Sequence, residues 1–149
     1  MIMNREEAQK YIETNIPITK HMGMEIKELS RESVRVGLPL EPNLNHHDSA
    51  FGGSIESLFF VTGWCLVQHL IEDFDPEPVI VGRRGRVSFT GAIRQDFEAQ
   101  LHIPKEEEIE EFLSDLKTRD KARITAKAYI EIEGKTCAEF EGDFVVLAK

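Results

Sequence analysis

Residues 45 to 64 read NHHDSAFGGSIESLFFVTGW, and the chain changes character inside this stretch. A polar loop carrying two histidines and an aspartate runs into the pair Gly52 and Gly53, and from there into an apolar run with no charge between Glu56 and Glu72. That run is too long for a strand and is apolar on almost every side. Such a pattern describes a helix enclosed by other structure rather than one lying on a surface. A buried helix from about Gly52 to Glu72, ending before Pro76 and Pro78, is therefore the organising element.

What encloses it can be read outward from there. Residues 4 to 14 are helix formers and stop before Pro17, which predicts a short N-terminal helix. MEIKELS and SVRVGLPL read as two strands of a hairpin; in the second, Val34, Val36, Leu38 and Leu40 alternate with more polar or small positions. VIVGRRGRVSFTGA and DFEAQLHIP read as further strands, the latter with Phe97, Ala99, Leu101 and Ile103 on one face. In KEEEIEEFLSDLK, Ile109, Phe112, Leu113 and Leu116 repeat at the spacing of a surface amphipathic helix. The last two strands, KARITAKAYIEIEG and KTCAEFEGDFVVLA, turn at Glu133 and Gly134, and Ala122, Ala126 and Ala128 leave room for something bulky against them. A mostly antiparallel sheet with its helices on one face is an α+β architecture. A sheet curled round one central helix explains the composition of residues 58 to 71.

A chain of 149 residues suits one domain, expected to span 1–149. Its net charge of −9 argues against a nucleic-acid partner, which selects for a basic face. The first residues, MIMNREEAQKYIETN, lack the apolar segment of a secretory signal, and the run from Leu58 to Ile71 falls short of a membrane span. A cytoplasmic protein with no membrane partner is the expectation. Cys65 and Cys137 lack ligand-like spacing and read as reduced core thiols.

The residues at the helix mouth carry a resemblance. The element order, the MGMEI entry into the first strand, Asn45 spaced ahead of Phe51-Gly52-Gly53-Ser54, and GRVSFTGAIRQDFEAQ together resemble the hotdog-fold thioesterases from about Pro17 to Val146. Within them the chain looks closest to the bacterial "putative thioesterase" group that also occurs fused behind an acetyltransferase domain. The resemblance implies a homodimer or dimer of dimers, with sheets joined edge to edge and active sites at the subunit interface. It also implies acyl thioesters of coenzyme A or acyl carrier protein as substrates. In the similar phenylacetyl-type thioesterases a His-Gly-Gly follows the Asn, and an acid stands farther along the helix. Here Phe51 replaces that His, and Phe60 stands where the acid would be.

Each residue of this constellation carries a plain reading beside the chemical one. Gly52 and Gly53 permit tight packing of the helix start. They equally let a thioester carbonyl approach the free N–H groups of the first turn, where those donors would hold an oxyanion. Asp48 can cap a helix or form a turn, or can act as a base for water beside that site. Asn45 orders a loop, or with the family spacing positions water or the carbonyl. Glu56 interacts favourably with the helix dipole, and one turn before Phe60 it is also a candidate displaced acid.

Ser54 and Ser57 lack a paired base in the manner of a nucleophile elbow. They read as structural hydroxyls, with Ser54 joining Gly52 and Phe60 as positions that contact substrate. His46, His47 and Asp48 invite a metal reading. Successive residues of an extended loop point in alternating directions, however, and nothing completes a ligand set, so no metal is expected. Arg84 and Arg86 share one strand face, with Arg83 on the other beside Val81 and Val87. The pair is either a solvated face or, with Arg94, a clamp for the phosphates of coenzyme A.

The expected function is hydrolysis of an acyl thioester by water, with helix amides holding the oxyanion and no cofactor. Two alternatives stay open: a non-catalytic acyl-thioester sensor, suggested by Phe60, and a hydratase or dehydratase of carrier-bound acyl chains.

Overall fold

The computed structural model describes residues 1–149. In chain order the elements are α1 (Arg5–Asn15), α2 (Ile18–Met22), β1 (Glu25–Leu29), β2 (Val34–Leu38), a 3-10 turn (Glu41–Asn43), α3 (Gly52–Leu70), β3 (Val79–Phe89), β4 (Phe97–His102), α4 (Glu106–Arg119), β5 (Lys121–Ile132) and β6 (Lys135–Leu147). The six strands form one antiparallel sheet in the order β1-β2-β4-β5-β6-β3. The sheet wraps α3 in the hotdog arrangement, so the α+β class and the element order agree with the sequence reading.

Local chemistry explains the boundaries. Asn4 caps α1 by accepting the Glu7 N–H at 2.8 Å. Gly23 closes α2 in the left-handed conformation, at φ 73°. The β5–β6 hairpin turns on Glu133 and Gly134, both at positive φ, where glycine alone adopts the geometry without cost. Ala126 and Ala128 on β5 are buried, and Ala126 lies beneath Gly63 of α3. The alanine pattern suggested something bulky here, but at Ala126 the neighbour is a glycine, so small residues on both sides bring helix and sheet close.

Three expectations need correction. Pro17 ends α1, but the chain does not run directly to β1: α2 follows at once and lies beside α3. The β3–β6 register shifts between Gly82 and Arg84, so Val81 and Val87 point to opposite faces and cannot both lie with Arg83. A bulge of this kind reverses the alternation that the strand reading assumed. Finally, α3 is not enclosed on every side. Glu56 is exposed, and Ser57, Phe60 and Trp64 are only partly buried, which leaves one stripe of the helix open.

Candidate active site

The loop before α3 is built around Asn45. Its Oδ1 accepts the backbone N–H of His47 at 2.8 Å and of Ser49 at 3.1 Å, while its Nδ2 donates to Ser49 Oγ at 3.0 Å. The Asn45 amide is thereby engaged on both sides, within a tight turn that Leu44 and Ala50 close by a β-bridge. The same turn brings the rings of His46 and His47 to 3.9 Å between centroids. The loop is therefore not extended, and the expected alternation of the two histidines is wrong. No group of three or more His, Cys, Asp or Glu side chains gathers where a metal could be held. Asp48 is exposed at φ 58°, a backbone region that Asp tolerates better than most residues.

Two further bonds aim the helix start. The Phe51 N–H donates to the Asn43 carbonyl and the Ala50 N–H to the Ile93 carbonyl, each at 2.8 Å. Asn43 is itself buried and donates its side-chain amide to the carbonyls of Met22 and Pro39. Phe51 is the N-cap of α3 and supplies no side-chain acceptor. The first intrahelical bonds are those of Ser54 and Ile55 to the Phe51 carbonyl, so the N–H groups of Gly52 and Gly53 find no acceptor within the chain. Two donors at the positive end of a 19-residue helix are thus left for a ligand.

Gly53 also leaves room for the half-exposed Phe51 ring, since an added Cβ would meet Phe51 Cε2 at 2.5 Å. Gly52 faces the Phe89 ring, where a Cβ would make an ordinary 3.5 Å contact.

From the glycine pair, space opens on two sides. A hollow of about 450 Å³ is lined by Asn45, Gly52, Ile55, Phe89 and Ile93, among others. A groove of about 460 Å³ runs along the open stripe of α3, past Gly53, Glu56, Ser57, Phe60, Val61 and Trp64. Its facing wall is Ile16, Ile18, Met22 and Met24, from the α2 region. The groove is mostly apolar, of the size that holds small organic ligands, and Glu56 is its one ionisable group.

Phe60 is pinned edge-to-face against Phe140 and Phe144, at centroid distances of 5.2 and 6.1 Å. Ser57 spends its hydroxyl on the Gly53 carbonyl at 2.9 Å and has no base beside it. Ser54 is buried. Cys65 is buried on the same helix, and burial pushes its thiol up to about 12, which leaves it protonated and inert.

The predicted residues therefore fall into separate groups. Gly53, Glu56 and Phe60 share the groove, while Asn45 and Gly52 share the other hollow; Asp48 lines neither. Arg84 and Arg86 pair across the strand with Asp143 and Glu141. Gly85 between them faces Phe60, so these arginines point away from α3, onto the outer face of the sheet. Arg94 is exposed in the loop after β3. Sequence reasoning missed the groove's other half: Ile16, Ile18, Met22, Met24 and Trp64. Trp64 was legible in principle, because it continues the stripe of Glu56 and Phe60 at helical spacing; the α2 residues gave no comparable signal.

Solved structures share this architecture. A protein of unknown function from Chlorobaculum tepidum TLS is 26% identical, with a TM-score of 0.90 over 97% of this chain and 94% of that one. A "putative thioesterase" from Shewanella oneidensis matches at 23% identity and TM-score 0.85, covering 97% of each chain. A Pseudomonas aeruginosa protein described as "Probable Thioesterase" matches at 20% identity and TM-score 0.85, over 100% of this chain and 99% of that one. The family described as "Putative thioesterase (yiiD_Cterm)" matches residues 5–148. With nearly its whole length matched, the chain belongs to that thioesterase family, which makes it a hydrolase of thioesters.

Proposed function

We propose that this protein hydrolyses acyl thioesters of coenzyme A or acyl carrier protein, with the acyl chain in the groove along α3 and the thioester carbonyl at Gly52 and Gly53. One observation carries the reading: an apolar groove with a single carboxylate, Glu56, in its wall reaches the unpaired amide of Gly53, next to that of Gly52, which opens on the adjoining hollow. Glu56 takes a proton from water as the water oxygen attacks the carbonyl carbon. The developing oxyanion is held by the Gly52 and Gly53 N–H groups, which need no reorganisation to meet it. The C–S bond then breaks, and the sulfur leaves as thiol after regaining a proton, with the acyl group released as a carboxylic acid.

Asp48 is the weaker candidate base because it lines neither space beside the amides. Asn45, with its amide already engaged, acts by holding the loop that aims Phe51 and the glycine pair. Phe60 shapes the wall rather than reacts, and the buried Ser54 lines neither space.

The same reading includes a homodimer in the cytoplasm. β3 is an 11-residue edge strand, exposed along nearly all its length, with Val79, Val81 and Phe89 uncovered. Such an edge is a template for pairing with a second copy. Arg84, Arg86 and Arg94 would meet coenzyme A phosphates from the outer face.

The test is a thiol-release assay over acyl-coenzyme A esters and the matching acyl-pantetheines, beside sedimentation of the same sample. Release of thiol by a dimer is expected, with Arg84→Ala weakening only the coenzyme A series. Thioester binding without thiol release would make the protein a sensor, and a change in chain unsaturation without thiol release a dehydratase.

A further inference from the structure

We propose that Trp64 is the end stop of the acyl groove and limits the substrate to straight acyl chains of at most roughly 8 to 10 carbons. This rests on the hydrolase reading above and names the substrate class of that site.

The groove follows one stripe of α3, since Gly53, Glu56, Phe60 and Trp64 recur at three- and four-residue intervals. From Gly53 to Trp64 the helix rises by about 16 Å. Helical side chains lean back over the preceding turn, so the indole takes about 5 Å of this and leaves about 11 Å for a chain starting at the glycine amides. An extended chain advances by about 1.3 Å per carbon, which gives the stated length.

Trp64 can act as a stop because it is a partition. The residue lines the groove on one side, and on the other a small cavity of about 10 Å³ between α1, β1 and the end of α3, with Met3, Ala8, Leu29 and Gln68 among its walls. That cavity holds no more than about one water, so an acyl chain cannot continue past Trp64 into the protein. The indole is also braced. It stacks on the Tyr11 ring at 5.4 Å with 4° between the planes, so it cannot swing aside without losing that contact. The facing wall of Ile16, Ile18, Met22 and Met24 is apolar, and the Thr19 hydroxyl among them is spent on the Ile12 and Ile16 carbonyls, which suits an aliphatic chain better than a polar one.

Trp64 is the only tryptophan in the chain, so its fluorescence reports directly on the end of the groove. S-alkyl coenzyme A thioethers of 4 to 16 carbons, which cannot be hydrolysed, would be titrated into the wild-type protein by fluorescence and calorimetry. Affinity should rise by about fourfold per methylene up to 8 to 10 carbons, then stop rising or fall. Trp64 emission should change only as the chain reaches that length. In Trp64→Ala the ceiling should move by about four carbons, the length of one helical turn, both in calorimetry and in thiol release from acyl-coenzyme A esters.

An emission unresponsive to every bound thioether, or a wild-type affinity that climbs without a ceiling to 16 carbons, would overturn the proposal. The wild-type measurements decide this even if the variant does not fold. A binding ceiling without thiol release from the esters would sink the hydrolase reading and leave the end stop standing. Thiol release without a length ceiling would do the reverse.

Discussion

Gly85 on the edge strand and Phe60 on the central helix occupy adjoining space: a Cβ added to the glycine would overlap the far edge of the ring. Gly82 borders the same ring, with 3.3 Å from its added Cβ to Phe60 Cε1. The glycines of VIVGRRGRV therefore make room for an aromatic side chain at position 60. Gly85→Ala should lower stability by about 1–3 kcal/mol, the usual cost of overpacking. Phe60→Leu in the same chain should recover part of the loss, because the two residues share one space. Chemical denaturation of both single variants and the double variant measures the coupling, and additive losses would refute the contact.

Glu56→Gln preserves size and hydrogen bonding but removes the proton acceptor in the groove wall. It should lower kcat by ~10²–10⁴, as loss of a general base does, with KM little changed. Asp48→Asn should cost less than tenfold by the same comparison. Steady-state thiol release compares the two, and the opposite order would move the base to the loop.

Asn45 accepts two backbone N–H groups and gives its own amide to Ser49. Asn45→Ala should destabilise by about 1–3 kcal/mol, because the partly buried Ser49 donor loses its acceptor. Asp48→Gly, at φ 58°, should instead be neutral or slightly stabilising. Thermal melts of the two variants test whether Asn45 is the organiser of the loop.

Burial holds the Cys65 thiol up to about 12, and Cys137 is also buried. Neither should react with a disulfide reagent at neutral pH in the folded protein. Both should react once denaturant unfolds it, and thiol blockers should leave hydrolysis intact. Fast labelling of native protein would contradict the packing around α3.

Arg35 donates to Glu28 at 2.8 Å and to Glu98 at 2.9 Å across β1, β2 and β4. Its hydrogen bond holds the Glu28 carboxyl below the ordinary value, so the folded state binds this proton less readily than the unfolded chain. That contribution to stability is present above the unfolded pKa and disappears as pH falls through the lowered one. Denaturation midpoints of Arg35→Met should therefore fall less steeply with acid than those of the wild type.

The sequence by itself determined every helix and strand but α2, and their order, because burial on one face imposes a period of two on strands such as β5 and burial on several faces makes α3 apolar for most of its length. The glycine pair at the helix start was legible for the same reason, and so was the sharing of one helical face by Glu56 and Phe60. Only the tertiary structure decided which of these residues lie side by side. Whether Asn45 is free or engaged depends on how the loop folds back on Ser49. Whether Arg83 shares a face with Val81 or Val87 depends on a single extra residue in β3, which reverses the alternation. The far wall of the groove comes from α2, some forty residues away from Phe60 in the chain and without a periodic signal of its own. A periodicity reports the surroundings of one element, whereas a cavity exists only between elements, so its extent and its end at Trp64 could be read only once the helices were packed.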